Sequence, residues 1–347
     1  MKIIVDVMGG DHAPEETVKG AIAAAREFDP SISYIWVGNG EEIRKIAEAE
    51  QFDLGGVEVV ETEDVVTMED DPLTTTRAKP NSSMTVALKL LAEGRGDALV
   101  STCNTGALFT GATLLVRKVK GLQRAGIATV MPFDKPVLLF DSGANVVVTP
   151  ETLEQFAIVG SAYMKKVFGI ERPRVGLLNN GTEECKGTEL RQETYKLLSN
   201  SPDIHFVGNV EGSAMPFDVC DVLVTDGFTG NILLKTSEGV VKLMLKKLKG
   251  MFKGSLRGTL AYLLLKPELK KLKKQLDPSE IGGAPLLGIS KPVFKAHGSS
   301  DAKSFKSAIG QAIRYAETGA MDEVTAAVAA YATRKKAERA AQKQTEQ

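Results

Sequence analysis

Cysteine is scarce. The 347 residues hold three, Cys103, Cys185 and Cys220, with no CxxC pair among them. That excludes a disulfide-built fold and a zinc-ribbon spacing, and an odd count fits a reducing compartment. Histidine is equally sparse, with three in the chain. No His, Cys or carboxylate cluster carries metal-ligand spacing, so neither a metal nor another cofactor is expected. No apolar run approaches the ~18 residues of a membrane span. The N-terminus turns polar by Gly9, too soon for a secretory signal, so a cytoplasmic location is expected. Net charge is −1, which gives no overall field for nucleic acid. The dinucleotide fingerprint GxGxxG is also missing: Gly9-Gly10-Asp11-His12-Ala13-Pro14 follows the first strand without its third glycine.

The stretch that organises the chain is Val175–Arg191, VGLLNNGTEECKGTELR. Val175, Leu177 and Leu178 form a short apolar run that suits a buried parallel strand. Asn179-Asn180-Gly181 stops it, and a helix opens after Gly187, with Thr188 as a candidate N-cap. In open α/β sheets, ligands bind beyond the carboxyl ends of strands. Lys186 stands in that position and is a candidate anion partner; the alternative is an ordinary polar loop.

The same plan recurs. Lys2–Met8 ends in Gly10, Asp11 and His12. Asp97–Cys103 ends in Asn104-Thr105-Gly106, followed by a helix over 107–119. Val137–Phe140 ends in Asp141-Ser142-Gly143-Ala144-Asn145. Ile204–Val207 leads to a loop over Gly208–Gly212, and Val222–Thr225 to a loop from Asp226 to Asn231. Five strands with Gly/Asn/Asp/Ser/Thr ends predict an α/β fold with a cleft lined by hydrogen-bonding groups for an anionic ligand. Asp64–Pro80 is a long polar loop, and 281–288 reads as a glycine-rich loop. Ser299-Ser300-Asp301 is a good helix start whose N–H groups offer an anion site.

Between Lys242 and Lys274 there are eleven Lys/Arg and one acid, Glu268. Lys246, Lys249, Lys253 and Arg257 alternate with apolar residues such as Leu256 and Leu260. Two helical arms are expected, joined near 250–258 or broken again at Pro267. Such an arm suits an anionic membrane surface or an acidic protein; alternatively it packs as core with its lysines solvated. The domain reading is one catalytic unit over 1–320 carrying this arm at about 240–276, then a C-terminal helix and charged tail over 321–347.

The motifs Gly9–Pro14, Asn104–Ala107, Asp141–Asn145, Glu184-x-Lys186-Gly187, Phe206–Gly212, Asp226–Asn231, Gly282–Gly288 and His297–Ser300 occur in this order. Together they closely resemble the bacterial PlsX-type phosphate acyltransferases, over roughly residues 1–318. The chain departs from the family pattern at Cys103, where Gly-Asn-Thr-Gly is usual, and at Asn180 and Thr182; these changes bear on rate or chain preference. The resemblance implies a three-layer α/β/α sandwich like that of phosphotransacetylases and isopropylmalate-type dehydrogenases. It implies transfer of a fatty acyl group from acyl carrier protein to inorganic phosphate, the product feeding a membrane glycerol-3-phosphate acyltransferase in phospholipid synthesis. It further implies a homodimer held peripherally at the membrane by the basic arm.

For that chemistry phosphate is the nucleophile and needs positioning more than deprotonation. Lys186 is the expected charge partner, with Asn231 and the Asn104–Gly106 backbone completing the cradle. Asn145, Asn231 or the Ser299/Ser300 helix start would stabilise the thioester oxyanion. His12 or His297 would serve if a general acid is used. Cys185 beside Lys186 raises a ping-pong alternative. The rival functions are a short-chain phosphotransacetylase, a metal- and nicotinamide-dependent dehydrogenase, and a non-catalytic membrane-surface scaffold.

Overall fold

Alternation along the first strand sets the layers. In β1 (Lys2–Asp6), Ile3 and Val5 enter one core cluster while Ile4 enters another. In β2 (Ser33–Gly38), Tyr34 and Trp36 follow the first pair, and Ile35 and Val37 follow Ile4. A strand buried on both faces needs helices on both sides. The computed structural model, which describes residues 1–67, 69–253, 256–275 and 282–345, supplies them.

Among the described residues one eleven-stranded sheet runs β3-β2-β1-β4-β11-β10-β5-β6-β9-β7-β8. The remaining strands are β3 (Val57–Glu61), β4 (Ala98–Ser101), β5 (Gly126–Met131), β6 (Val137–Phe140), β7 (Arg174–Asn179), β8 (His205–Glu211), β9 (Val222–Val224), β10 (Gly283–Leu287) and β11 (Val293–Ala296). β3, β2, β1, β4 and β11 are mutually parallel, and so are β6, β9, β7 and β8. The two parallel halves are joined through antiparallel pairings of β11 with β10, β10 with β5, and β5 with β6.

One face is covered by α1 (Glu15–Glu27), α2 (Gly40–Ala49), α6 (Pro150–Phe168), α7 (Glu189–Ser199), α10 (Ala302–Glu317) and α11 (Ala320–Thr345), through residues such as Val18, Ile43, Phe156, Leu198, Phe305 and Val324. The other face carries α4 (Ser83–Ala92) and α5 (Thr105–Gly111) on the first half, with Met84, Leu88 and Ala107 buried. Leu233 and Leu234 of α8 (Gly227–Lys253) pack on the second half. α3 (Thr75–Ala78) is a single turn inside the 64–80 loop, and α9 (Leu256–Gln275) forms a hairpin with α8. The last helix is anchored well past residue 320: Val324, Val328 and Tyr331 are buried, and the Tyr331 hydroxyl donates to Glu154.

Several elements differ from their sequence reading. Residues 226–231 do not stay in a loop; α8 begins at Gly227. The stretch after residue 282 is strand β10, not a loop, and Ile281 lies outside the described residues. Ala284 and Pro285 are paired with Lys295 and Phe294 of β11, a strand the sequence reading passes over. β8 continues to Glu211 because Gly208, at φ +97°, absorbs a register shift against Val175/Gly176. The helix after Asn104 is short and widens into a π-type turn over Ala112–Val116. Pro267 does not break α9.

Candidate active site

Three loops meet beyond β1, β4 and β11. The Asp11 N–H donates to the Gly298 carbonyl at 2.8 Å, and the Thr102 hydroxyl donates to the Gly9 carbonyl. A side chain at Gly10 would stand 2.9 Å from both Gly298 O and Thr102, and its φ of +98° is one glycine tolerates best. Asn104 caps α5 through its side-chain oxygen, 3.1 Å from Ala107 N. Thr105 and Gly106 form that helix's first turn, and Pro72 of the polar 64–80 loop packs on Gly106. Asp11 and His12 are exposed.

The second cluster lies beyond β6, β9 and β7. The buried Asp141 carboxylate accepts from the N–H groups of Ile127, Gly143, Ala144 and Asn145, and from the Asn145 amide. The Asn145 amide also donates to Ala125 O at 2.8 Å, so both its donors are spent within the protein. Ser142 is similarly held by Thr129 and Ile127. These two residues shape the site rather than offer free groups to it. Asp226 accepts from Thr229 N, caps the start of α8, and pairs with Arg191 at 2.6 Å. Burial works to raise the Asp226 pKa, but the Thr229 donors and Arg191 hold it below the ordinary range.

α8 presses directly on the Asp141 loop. A Cβ on Gly230 would stand 1.9 Å from the Asp141 carbonyl oxygen. Asn231 therefore lies against Gly143, its Oδ1 3.7 Å from where a Gly143 Cβ would be. Asn231, Lys235, Glu238 and Lys242 share one face of α8 by their spacing. Of these, Lys235, Glu238 and Lys242 lie within electrostatic reach of His297. One helix face thus runs from Asn231, against the Asp141 loop, to charges that act on His297. The His297 imidazole is held below its usual range, first by loss of water and then by Lys235 and Lys295. Its Nδ1 lies 2.8 Å from the Ser299 hydroxyl.

The start of α10 is already supplied with carboxylates. Asp301 accepts from Ser304 N, and Glu16 accepts from Ala302 N. Ser299 engages His297, while the buried Ser300 hydroxyl has no partner among the described residues. Lys186 is exposed, and no acceptor is paired with its ammonium among the described residues. Between the loop that carries it and the first turns of α8 opens a cavity of about 970 Å³, walled by Val146, Val147, Leu178, Phe228, Ile232 and Leu233 and also reached by Arg191 and Asp226. Among the described residues no group of three or more His, Cys, Asp or Glu could hold a metal ion.

Of the thiols, Cys103 and Cys220 are buried and Cys185 is exposed. Burial and Asp6 push Cys103 up to about 12. Two charged residues escaped the sequence reading. Arg191 stands in the sequence only as the end of the Val175–Arg191 stretch. Lys295, buried in β11, goes unremarked because that strand does; a lone lysine among apolar residues beside the His297 motif is the available signal. On the arm, Lys246, Lys249, Arg257 and Leu260 are exposed, as are Met244, Met251, Leu263 and Leu264. The side chains of Lys253 and Leu256 lie outside the described residues. No helix among the described residues is long and apolar enough to cross a membrane.

The architecture is that of the phosphotransacetylases. A Streptococcus pyogenes phosphotransacetylase superposes with a TM-score of 0.61 at 16% identity, covering 91% of this chain and 94% of that one. A branched-chain phosphotransacylase from Enterococcus faecalis gives 0.54 at 15% identity, covering 90% and 99%. Sequence then narrows the class. A family model described as "Fatty acid synthesis protein" matches residues 1–323. A phosphate acyltransferase of Dictyoglomus thermophilum is 45% identical over 89% of this chain and 92% of its own length. One from Clostridioides difficile is 40% identical over 95% and 97%. The chain belongs to this family, the PlsX-type phosphate acyltransferases, and is an acyltransferase enzyme.

Proposed function

We propose that the enzyme takes a fatty acyl group from acyl carrier protein and places it on inorganic phosphate, giving an acyl phosphate for phospholipid synthesis. The observation that carries this reading is the largely apolar cavity between the β7–α7 loop, at Asn179, Asn180 and Gly187, and the first turns of α8. Its ~970 Å³ is at the upper end of the roughly 300–1,000 Å³ of small-molecule sites, room that an acetyl group does not need. This favours a fatty acyl donor over the short-chain phosphotransacetylase alternative.

Lys186 holds phosphate, and the Asn104–Gly106 backbone helps orient it. A phosphate oxygen attacks the thioester carbonyl carbon. Asn231 donates to the oxyanion that forms, a contribution of about 3–4 kcal/mol for a well-placed donor. The C–S bond then breaks, and the electron pair leaves on sulfur as a thiolate, which takes its proton from solvent or from His297 when that ring is charged. No covalent enzyme intermediate is needed. The exposed leucines, methionines and lysines of the α8–α9 hairpin support docking on an anionic membrane surface, where the product would meet the glycerol-3-phosphate acyltransferase. A homodimer and acyl carrier protein complete the proposed partners.

Thiol release from long-chain acyl carrier protein, with and without phosphate and with acetyl-CoA for comparison, tests this. Phosphate-dependent release that prefers the long-chain donor is expected. Release without phosphate, or equal use of acetyl-CoA, would overturn it.

A further inference from the structure

We infer that Lys295 is a second phosphate-binding cation of this site, contacting a phosphate oxygen from within the wall formed by β4 and β11. The inference rests on the acyl-transfer reading for its place in the reaction, but not for the binding itself. Lys295 pairs with Ser101 of β4 on one side and Ala284 of β10 on the other. Interior positions of a central strand are normally apolar, and this one holds a lysine that is 9% exposed. Its ammonium donates to Thr102 O at 3.2 Å and to Ala296 O. An ammonium has three donors, so one is left over.

No carboxylate oxygen forms an ion pair with it among the described residues. The charged and titratable groups that act on it include Cys103, Asp11, Asp6, Lys235 and His297. Asp6 is committed to the Ser101 hydroxyl at 2.6 Å and to Met8 N. Asp11 is on the exposed rim, Cys103 is held neutral by burial, and Lys235 is itself positive. A buried charge without a contacting counter-ion is costly. Burial accordingly lowers the Lys295 pKa, and an arriving anion would remove that penalty. A second unspent donor stands in the loop that follows β11: the buried Ser300 hydroxyl has no partner among the described residues. Next to both lies the Gly10–Gly298 backbone contact, where two loops close without side chains.

Phosphate oxygens can reach this place from two sources, free inorganic phosphate or the phosphate of the donor's phosphopantetheine arm. Lys295→Met keeps an unbranched chain of similar length and removes the unpaired charge. With inorganic phosphate as the ligand, KM for phosphate in thiol release and its Kd by calorimetry are both expected to rise at least tenfold. KM for the acyl donor should change less than twofold. If the carrier's phosphate is the ligand, the loss instead appears in KM for acyl-phosphopantetheine and is absent with acyl-pantetheine, which lacks the phosphate; that outcome also supports the proposal. A folded Lys295→Met protein with all of these constants unchanged overturns it. Wild-type protein without phosphate-dependent turnover would sink the acyl-transfer reading alone, because calorimetry with phosphate still judges Lys295. Should Lys295→Met fail to fold, the lysine side-chain amine signals of wild type, with Lys295 assigned through Lys295→Arg, decide the matter. Displacement of that signal by both inorganic phosphate and phosphopantetheine, or by either, supports the inference; displacement by neither overturns it.

Discussion

Arg191 and Asp226 meet at 2.6 Å beneath the apolar cavity, both nearly removed from water. The same guanidinium donates to the Thr225 hydroxyl at 3.0 Å. The pair ties the start of α7, which follows the Lys186 loop, to the β9–α8 junction that carries Asn231. Removing one partner leaves a buried charge, which costs about 3–5 kcal/mol. Arg191→Met and Asp226→Asn should each lower stability by about that much in urea denaturation. Replacing both together should cost less than the sum of the two.

Gly230 fixes how closely α8 approaches the Asp141 loop. A methyl group there meets backbone, not a side chain that can turn aside. Gly230→Ala should cost at least about 1–3 kcal/mol and lower turnover, since Asn231 shifts with its helix. Thermal unfolding and phosphate-dependent thiol release check the two effects. Full retention of both would mean that the helix start yields easily.

His297 gives the site a pH dependence of definite sign. Its folded pKa lies below the ordinary 6.5, so the unfolded chain binds the proton first as pH falls. Stability from this group is complete above about 6.5 and declines as pH drops towards the folded value. Unfolding free energy measured across that window should slope less in His297→Gln than in wild type.

What the sequence disclosed was the polar loops at strand ends; what it concealed was the strands' company. Lys186, Asn231 and His297 stand out because polar groups after apolar runs have few structural uses. Asn145 and Ser142 stand out equally, yet their side-chain hydrogen bonds are spent on Asp141 and on the neighbouring segment over 125–129. No local pattern separates a loop that serves a ligand from one that serves itself. β10 reads as a loop because glycine and proline weaken strands, and only its pairing with β11 and β5 overrides that preference. Lys295 and Arg191 are hidden for a related reason: their burial is created by distant segments.

Cys185 and Cys103 should behave oppositely toward a thiol reagent. Cys185 is exposed and should be alkylated readily in the folded enzyme, whereas Cys103 should react only on unfolding. Cys185→Ala should keep phosphate-dependent turnover on the proposed route, in which phosphate attacks the thioester directly. Loss of turnover with the fold intact would restore a ping-pong route.

The hairpin lysines should govern adsorption. Lys246→Glu with Lys249→Glu should weaken binding to anionic vesicles at least tenfold, given about 1 kcal/mol per lysine near such a surface. Raised salt should weaken wild-type binding in the same direction. Sedimentation with anionic and zwitterionic vesicles reads both, and equal binding of wild type and variant would exclude an electrostatic role.

The place of β11 has a consequence for how the protein comes into being. Leu99 lies beside Val293, so β4 must wait through nearly two hundred residues of synthesis for its neighbour. Until then the nascent first half presents a bare strand edge, open to mispairing. The strand that finally closes this edge also carries Lys295 and leads straight into His297. A chain released early would lack this strand and the His297 loop at once, so closing the sheet edge and placing His297 beside it are one late event.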